Sequence, residues 1–172
     1  FRRYELTYPN MEVKSSLTNA ILTSLAQDRL AKTKNQSKLI DALLANNLEQ
    51  LRDIFHALFA SIPHDWYRKN QLSGYEGYYA SIVYCYFAAL GLDVHAEECT
   101  NLGQIDLVVR FQDRVYVIEF KVVEQVGEGR ALEQIKAKGY GDKFVGQETY
   151  LIGVEFSSAD RNVIGFEWER GT

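Results

Sequence analysis

Two carboxylates and a lysine stand in the segment from Gln104 to Lys121, Gln-Ile-Asp-Leu-Val-Val-Arg-Phe-Gln-Asp-Arg-Val-Tyr-Val-Ile-Glu-Phe-Lys, at positions that packing alone does not explain. The segment reads as two apolar, β-branched runs joined at Gln112-Asp113, the pattern of an antiparallel hairpin. With the turn centred there, Phe111 faces Arg114 and Asp106 falls opposite Glu119. Directly opposed residues have Cβ atoms roughly 4.5–5.5 Å apart, where two like charges destabilise the pairing. Strand alternation puts Val115, Val117, Glu119 and Lys121 on one face, matched by Asp106 and Val108 of the partner, so the acids continue an apolar stripe. A divalent cation between hard oxygen ligands, with an ammonium beside it, offsets the repulsion. The competing reading is that each acid marks a strand end meeting water, and a one-residue slip in the turn would separate the pair. Gln-Asp is not a favoured two-residue turn, which wants φ > 0 residues such as Asn-Gly; a four-residue loop over 111–114 keeps the same register.

The elements that must position this hairpin follow from periodicity. Val13, Leu17, Ile21 and Leu25 recur at the helical spacing of one face and predict a helix over 12–26. Ser37 is placed to cap a short helix through Leu44, and Leu48 to Ile62 reads as another helix that stops before Pro63. His64 to Ser73 is polar and reads as a connector. Gly74 to Leu90 reads as a long, mostly buried helix ended by Gly91, its tyrosines core residues rather than a base-stacking platform. Strands follow over 93–99, 105–111 and 114–122, then a helix over about 129–144 and strands over 148–156 and 162–169. The order α-β-β-β-α-β with one further β implies an α/β fold, a mixed sheet flanked by helices, with a helical subdomain at 1–72 and the sheet-bearing domain at 73–172.

The bulk properties narrow the function. A chain of 172 residues holds one core with an extension, and 47% hydrophobic with 24% charged residues is ordinary for a water-soluble globular protein. No apolar run approaches the roughly 20 residues that span a bilayer, so a cytoplasmic protein with no membrane partner is expected. The chain starts at Phe1 and its one methionine is Met11, which reads as a fragment of a longer protein. Cys85 and Cys99 form no framework, and His56, His64 and His95 form no zinc pattern. Neither GxxxxGK[ST] nor GxGxxG fits around Gly127, Gly129, Gly139 and Gly141, which excludes the usual nucleotide loops. The net charge of −4 argues against a nucleic-acid coating protein but not against a nuclease, because local sign matters more than the total. Arg110, Arg114, Lys121, Arg130, Lys136, Lys138 and Lys143 crowd the region of the hairpin and after it, as a solvated basic face or a phosphate-contacting one.

Gly103-Gln-Ile-Asp106 and Val117-Ile-Glu-Phe-Lys121, in this element order, resemble the PD-(D/E)XK nuclease superfamily, whose restriction-endonuclease-like core is α-β-β-β-α-β. Tyr8-Pro-Asn-Met-Glu-Val13, Tyr75-Glu-Gly-Tyr-Tyr79 and Ala131-Leu-Glu-Gln-Ile-Lys-Ala-Lys-Gly-Tyr140 look more narrowly like the C-terminal nuclease-like region of bacterial proteins with an upstream AAA-ATPase-like domain. The resemblance implies a divalent-metal-dependent nuclease acting on nucleic acid, taken as DNA, with Mg²⁺ or Mn²⁺ as cofactor. It implies that Asp106, Glu119 and the Phe120 carbonyl hold the metal, that Lys121 orients the attacking water or meets charge on the phosphate, and that Glu76 joins the metal shell. Gln134 resembles a glutamine placed near such sites, and Arg130, Lys136, Lys138 and Tyr140 would contact the nucleic acid. Ile105 stands where the superfamily's naming proline is expected. The alternative to catalysis is a module that keeps the fold for nucleic-acid or protein binding under control of the ATPase-like domain, and a third reading makes the carboxylates a structural metal site.

Overall fold

The hairpin forms in the expected register: β2 (Gln104–Phe111) and β3 (Arg114–Val123) pair antiparallel from Phe111 opposite Arg114 to Leu107 opposite Ile118. The connection is the two-residue turn Gln112-Asp113, and it is tolerated because Gln112 takes a left-handed conformation at φ 54°. This is a computed structural model, and it describes residues 8–25, 29–62, 74–124 and 130–171.

β1 (Asp93–Cys99) precedes the hairpin, and β4 (Glu148–Ser157) and β5 (Val163–Arg170) follow it. The five strands lie in the order β1-β2-β3-β4-β5, antiparallel throughout except that β3 and β4 run parallel, so the sheet is mixed as expected. A parallel neighbour needs a crossover, and it is supplied by a short helix, here α5, at Ala131–Ala137 and a 3₁₀ turn at Tyr140–Phe144. The expected single helix over 129–144 is thus divided, because Gly139 sits left-handed at φ 56° and breaks it; residue 129 lies outside the described residues.

Among the described residues, four helices precede the crossover: α1 (Met11–Leu25), α2 (Arg29–Ala45), α3 (Leu48–Ala60) and α4 (Glu76–Ala88). Ser37 does not cap a helix as expected but lies inside α2, since the Lys- and Gln-rich run before it continues the helix. The α2–α3 joint is made by Asn46, left-handed at φ 50°, and by Asn47, whose side chain accepts the Gln50 N–H at 3.0 Å as an N-cap.

The apolar stripe on α1 faces away from the core: Val13, Leu17 and Ile21 are 43%, 47% and 37% accessible, while Thr18 and Leu22 are buried. The reason is polar. Ser15 and Asn19 reach the Ala89 carbonyl, freed at the end of α4, at 3.5 and 3.4 Å, and Thr18 satisfies its hydroxyl on the Lys14 and Ser15 carbonyls. α4 is therefore covered by α1 on one side and by the sheet on the other, which accounts for its apolar residues all round. The helical part has no separate core among the described residues: Leu39, Phe55 and Phe59 belong to one buried cluster with Phe87, Ile118 and Phe156. The expected 72/73 boundary lies in a stretch, 63–73, outside the described residues, as does the connector from His64. The opposite face of the sheet carries a smaller cluster, Ile105, Val108, Val115, Val117 and Leu151 under Ile135, Tyr140 and Phe144. Ile105, standing at the proline position, is one of its fully buried members.

Candidate functional site

Past the Leu107–Ile118 pair the hairpin ladder gives way to a side chain: the Phe120 N–H donates to Asp106 Oδ2 at 2.8 Å. That bond binds the Asp106 carboxylate to the strand carrying Glu119. Glu119 sits above Val117 on the face packed by α5 and is 2% accessible. One of its oxygens, Oε1, accepts from Gln134 Nε2 and lies 3.8 Å from Lys121 Nζ. The other, Oε2, is buried with no hydrogen-bond partner. A buried carboxylate oxygen left without a donor costs free energy, so it calls for a cation or a proton.

Without a cation, the buried carboxyl holds its proton more tightly than an exposed one would. Burial first, and the Asp106 charge second, push the Glu119 carboxyl up to about 7, against the pull of Lys121. Asp106 is also pushed up by burial, with the Phe120 N–H and Lys121 opposing. Two carboxyls shifted upward together, beside an ammonium, form the kind of environment found at functional sites.

Lys121 bridges outward. Its Nζ donates to Glu76 Oε1 and Oε2 at 3.3 and 3.2 Å, which brings the first residue of α4 to the site through the lysine. Among the described residues no three His, Cys, Asp or Glu side chains come together as a metal-holding group. Glu76 thus stands on Lys121, with Asp106 and Glu119 as the inner pair. A cleft of about 320 Å³ opens between α4 and β1, with Glu76, Ala80, Tyr84, Glu97 and Asp106 in its walls. Glu97 is left-handed at φ 55° and lies across from Asp106, since Ala96 pairs with Leu107 and Glu98 with Ile105 on either side of it. A non-glycine residue held so costs about 1–2 kcal/mol, and residues in such conformations cluster at active sites.

Of the residues expected to meet nucleic acid, Tyr140 is corrected. It is fully buried, and its hydroxyl donates to the Gln104 carbonyl at 2.8 Å, so it supports the start of β2 from behind. Gly103 makes room for it: at φ 152° it lies where side chains are disfavoured, and a Cβ there would stand 2.8 Å from the Tyr140 hydroxyl and 3.3 Å from Lys138 Nζ. Arg130 pairs with Glu133 at 3.5 Å and Lys136 with Glu169 at 2.8 Å. The rest of the basic cluster is similarly occupied, Arg110 by Asp93 and Glu98, Arg114 by Glu148 and Lys143 by Glu98. Within that cluster, among the described residues, Lys138 has no carboxylate within 4 Å; its Nζ lies 5.5 Å from the Tyr140 ring and its charge is felt by both Asp106 and Glu119.

Sequence reasoning missed Glu97, whose backbone strain leaves no mark in residue type. It also missed Gly153, paired with Glu119 across β3 and β4, although an isolated glycine in the apolar run Tyr-Leu-Ile-Gly-Val signals close backbone approach.

The comparisons bear on the same segment. A family model of the PD-(D/E)XK nuclease superfamily matches residues 74–166, from the start of α4 into β5. A protein of Azotobacter chroococcum mcd 1, described as an uncharacterized protein in the vnfD 5' region, is 51% identical over 166 residues, which is 95% of this chain and 32% of that protein. The chain therefore spans about a third of the length of the curated relative it matches.

Proposed function

The chain belongs to the PD-(D/E)XK nuclease superfamily, and from that premise we propose that it hydrolyses phosphodiester bonds in nucleic acid, most simply DNA, with Mg²⁺ or Mn²⁺. The observation that carries the proposal is Glu119 Oε2, a buried oxygen without a partner, beside a second carboxylate and an ammonium. Hard oxygen donors suit Mg²⁺, which keeps several waters and takes one or two protein carboxylates, so Asp106, Glu119 and the Phe120 carbonyl would hold it. When bound, such an ion polarises a phosphoryl oxygen and lowers the pKa of a coordinated water.

The chain's own residues supply the remainder. Asp106 is fixed by the Phe120 N–H and Glu119 by Gln134, so both ligand carboxylates are held before substrate arrives. Lys121, with its donors now on Glu76 and near Glu119, is the cation within reach of charge developing on a phosphate there. Lys138, with no carboxylate within 4 Å among the described residues, extends the positive side toward the substrate backbone. Where the chain is part of a longer protein, an upstream ATPase-like region would control access to the site.

The test is incubation with supercoiled, linear and single-stranded DNA and with RNA, with Mg²⁺, with Mn²⁺ and with chelator. Metal-dependent cleavage is expected, abolished in Asp106→Asn and reduced by on the order of 10²–10³ in Lys121→Ala with folding intact. Mn²⁺ should also raise the melting temperature of the wild type more than that of Asp106→Asn. Absence of cleavage on every substrate, by the chain and by any longer protein containing it, would leave the binding-module reading in its place.

A further inference from the structure

We propose that Gly153 is a positioning residue for this site: its missing side chain lets α5 lie close enough to the sheet for Gln134 to hold Glu119. The inference rests on the metal-site reading above. Gly153 and Glu119 are neighbours in the parallel β3–β4 register, and α5 crosses the face on which both lie. A Cβ at position 153 would stand 2.3 Å from the Leu132 nitrogen, 2.9 Å from the Leu132 Cα and 3.0 Å from the Ala131 carbonyl carbon. All three are backbone atoms of the first turn of α5, so no side chain can swing aside. The helix itself must retreat, by on the order of 1 Å in a close-packed interior.

Gln134 is one turn or less along the same helix, and its amide meets Glu119 Oε1 directly. That contact fixes the carboxylate rotamer and leaves Oε2 as the oxygen available to a cation. A hydrogen bond does not survive a retreat of that size without loss of distance or angle. The sheet face below α5 is otherwise filled: Ile135 and Ala131 are buried in full and Leu151 lies one pleat away from Gly153. Gly153 is therefore the position at which helix height over the site is set.

The measurement is a double-mutant cycle in the full chain between Gly153→Ala and Gln134→Ala, read by Mn²⁺ affinity from calorimetry and separately by cleavage rate. Loss of a contact that orients a metal ligand typically costs about 10–100-fold in affinity or activity. Each single variant should fall in that range, and the double variant should be no worse than either, because both remove one contact. Losses that multiply would overturn the proposal, as would wild-type affinity in Gly153→Ala or no Mn²⁺ binding by the wild type. Should Gly153→Ala not fold, Gln134→Asn withdraws the amide by one methylene and leaves the helix in place. It should lose affinity like Gln134→Ala, and retention of wild-type affinity would also overturn the proposal. Mn²⁺ affinity judges Gly153 even where no substrate is cleaved, so failure of the nuclease reading and failure of this proposal are told apart.

Discussion

Glu119 is an acid placed where an acid is costly. Its carboxyl is pushed up to about 7 by burial and by Asp106, from an ordinary value near 4.5. The folded state therefore holds the proton more tightly than the unfolded chain, and binds more protons across the interval between those values. Stability follows the difference in bound protons, so the Glu119 contribution is fully present below about pH 4.5 and is lost as pH rises through 7. The loss is at most about 3 kcal/mol at 1.36 kcal/mol per unit; Asp106, shifted the same way, adds to it. Urea denaturation of the metal-free protein at pH 5 and pH 8 should show the wild type losing stability relative to Glu119→Gln. Equal pH dependence in the two proteins would mean that Glu119 is not held against its charge. Hairpin register singled out the two carboxylates and the lysine in the sequence, yet the paired ladder ends at Leu107–Ile118 and Asp106 meets the Glu119 strand through its bond from the Phe120 N–H instead. The unpartnered oxygen, the strain at Glu97 and the burial of Tyr140 were not legible there, since each depends on tertiary neighbours rather than residue type.

At the scale of elements, the strands were the most readable part, because alternation and β-branched runs fix both the strand and its faces. Helix existence was legible and helix orientation was not. α1 offers an apolar stripe through Val13 and Leu17 and a polar one through Ser15 and Asn19, and the freed Ala89 carbonyl decided for the second. The hairpin turn shows the same tension. Register is dictated by the valine pairs, and Gln112 accepts a left-handed conformation at φ 54° to satisfy it. That strain costs about 1–2 kcal/mol for a residue with a Cβ, partly offset in glycine by its larger unfolded-state entropy. Gln112→Gly should therefore stabilise the protein by about 0.5–1 kcal/mol and raise the melting temperature by roughly 1–3 °C, with Mn²⁺ affinity unchanged. A lower melting temperature would show that the Gln112 side chain contributes contacts outweighing its backbone strain.

The whole molecule depends on helices that do not touch the chemistry. α3 packs Phe55 against Phe87 and Phe166 at ring separations of 5.9 and 6.2 Å, and Phe59 against Phe156 at 4.8 Å, so it closes the sheet face opposite α5 and Glu119. At the α2–α3 joint a polar chain ties the same helices to the strands. The Tyr116 hydroxyl donates to Asn46 at 3.1 Å, Asn46 to the Tyr150 hydroxyl at 2.6 Å, and that hydroxyl to Glu148 at 2.6 Å. Arg114 extends the tie, donating to the Leu43 carbonyl at 2.8 Å. A segment beginning at 74 contains every residue of the candidate site and the whole span matched by the family model, yet it would leave the Phe87, Phe156 and Phe166 surface bare. Residues 74–172 alone should therefore fail to fold cooperatively. The full chain should unfold in urea as one transition, with far-UV circular dichroism and tryptophan fluorescence coincident. Phe55→Ala, at a position with no contact to the site, should cost about 3–5 kcal/mol and lower the midpoint of both signals together. Two separate transitions, with the helical signal lost first and Mn²⁺ binding retained, would instead make the sheet an autonomous domain and the helices an accessory to it.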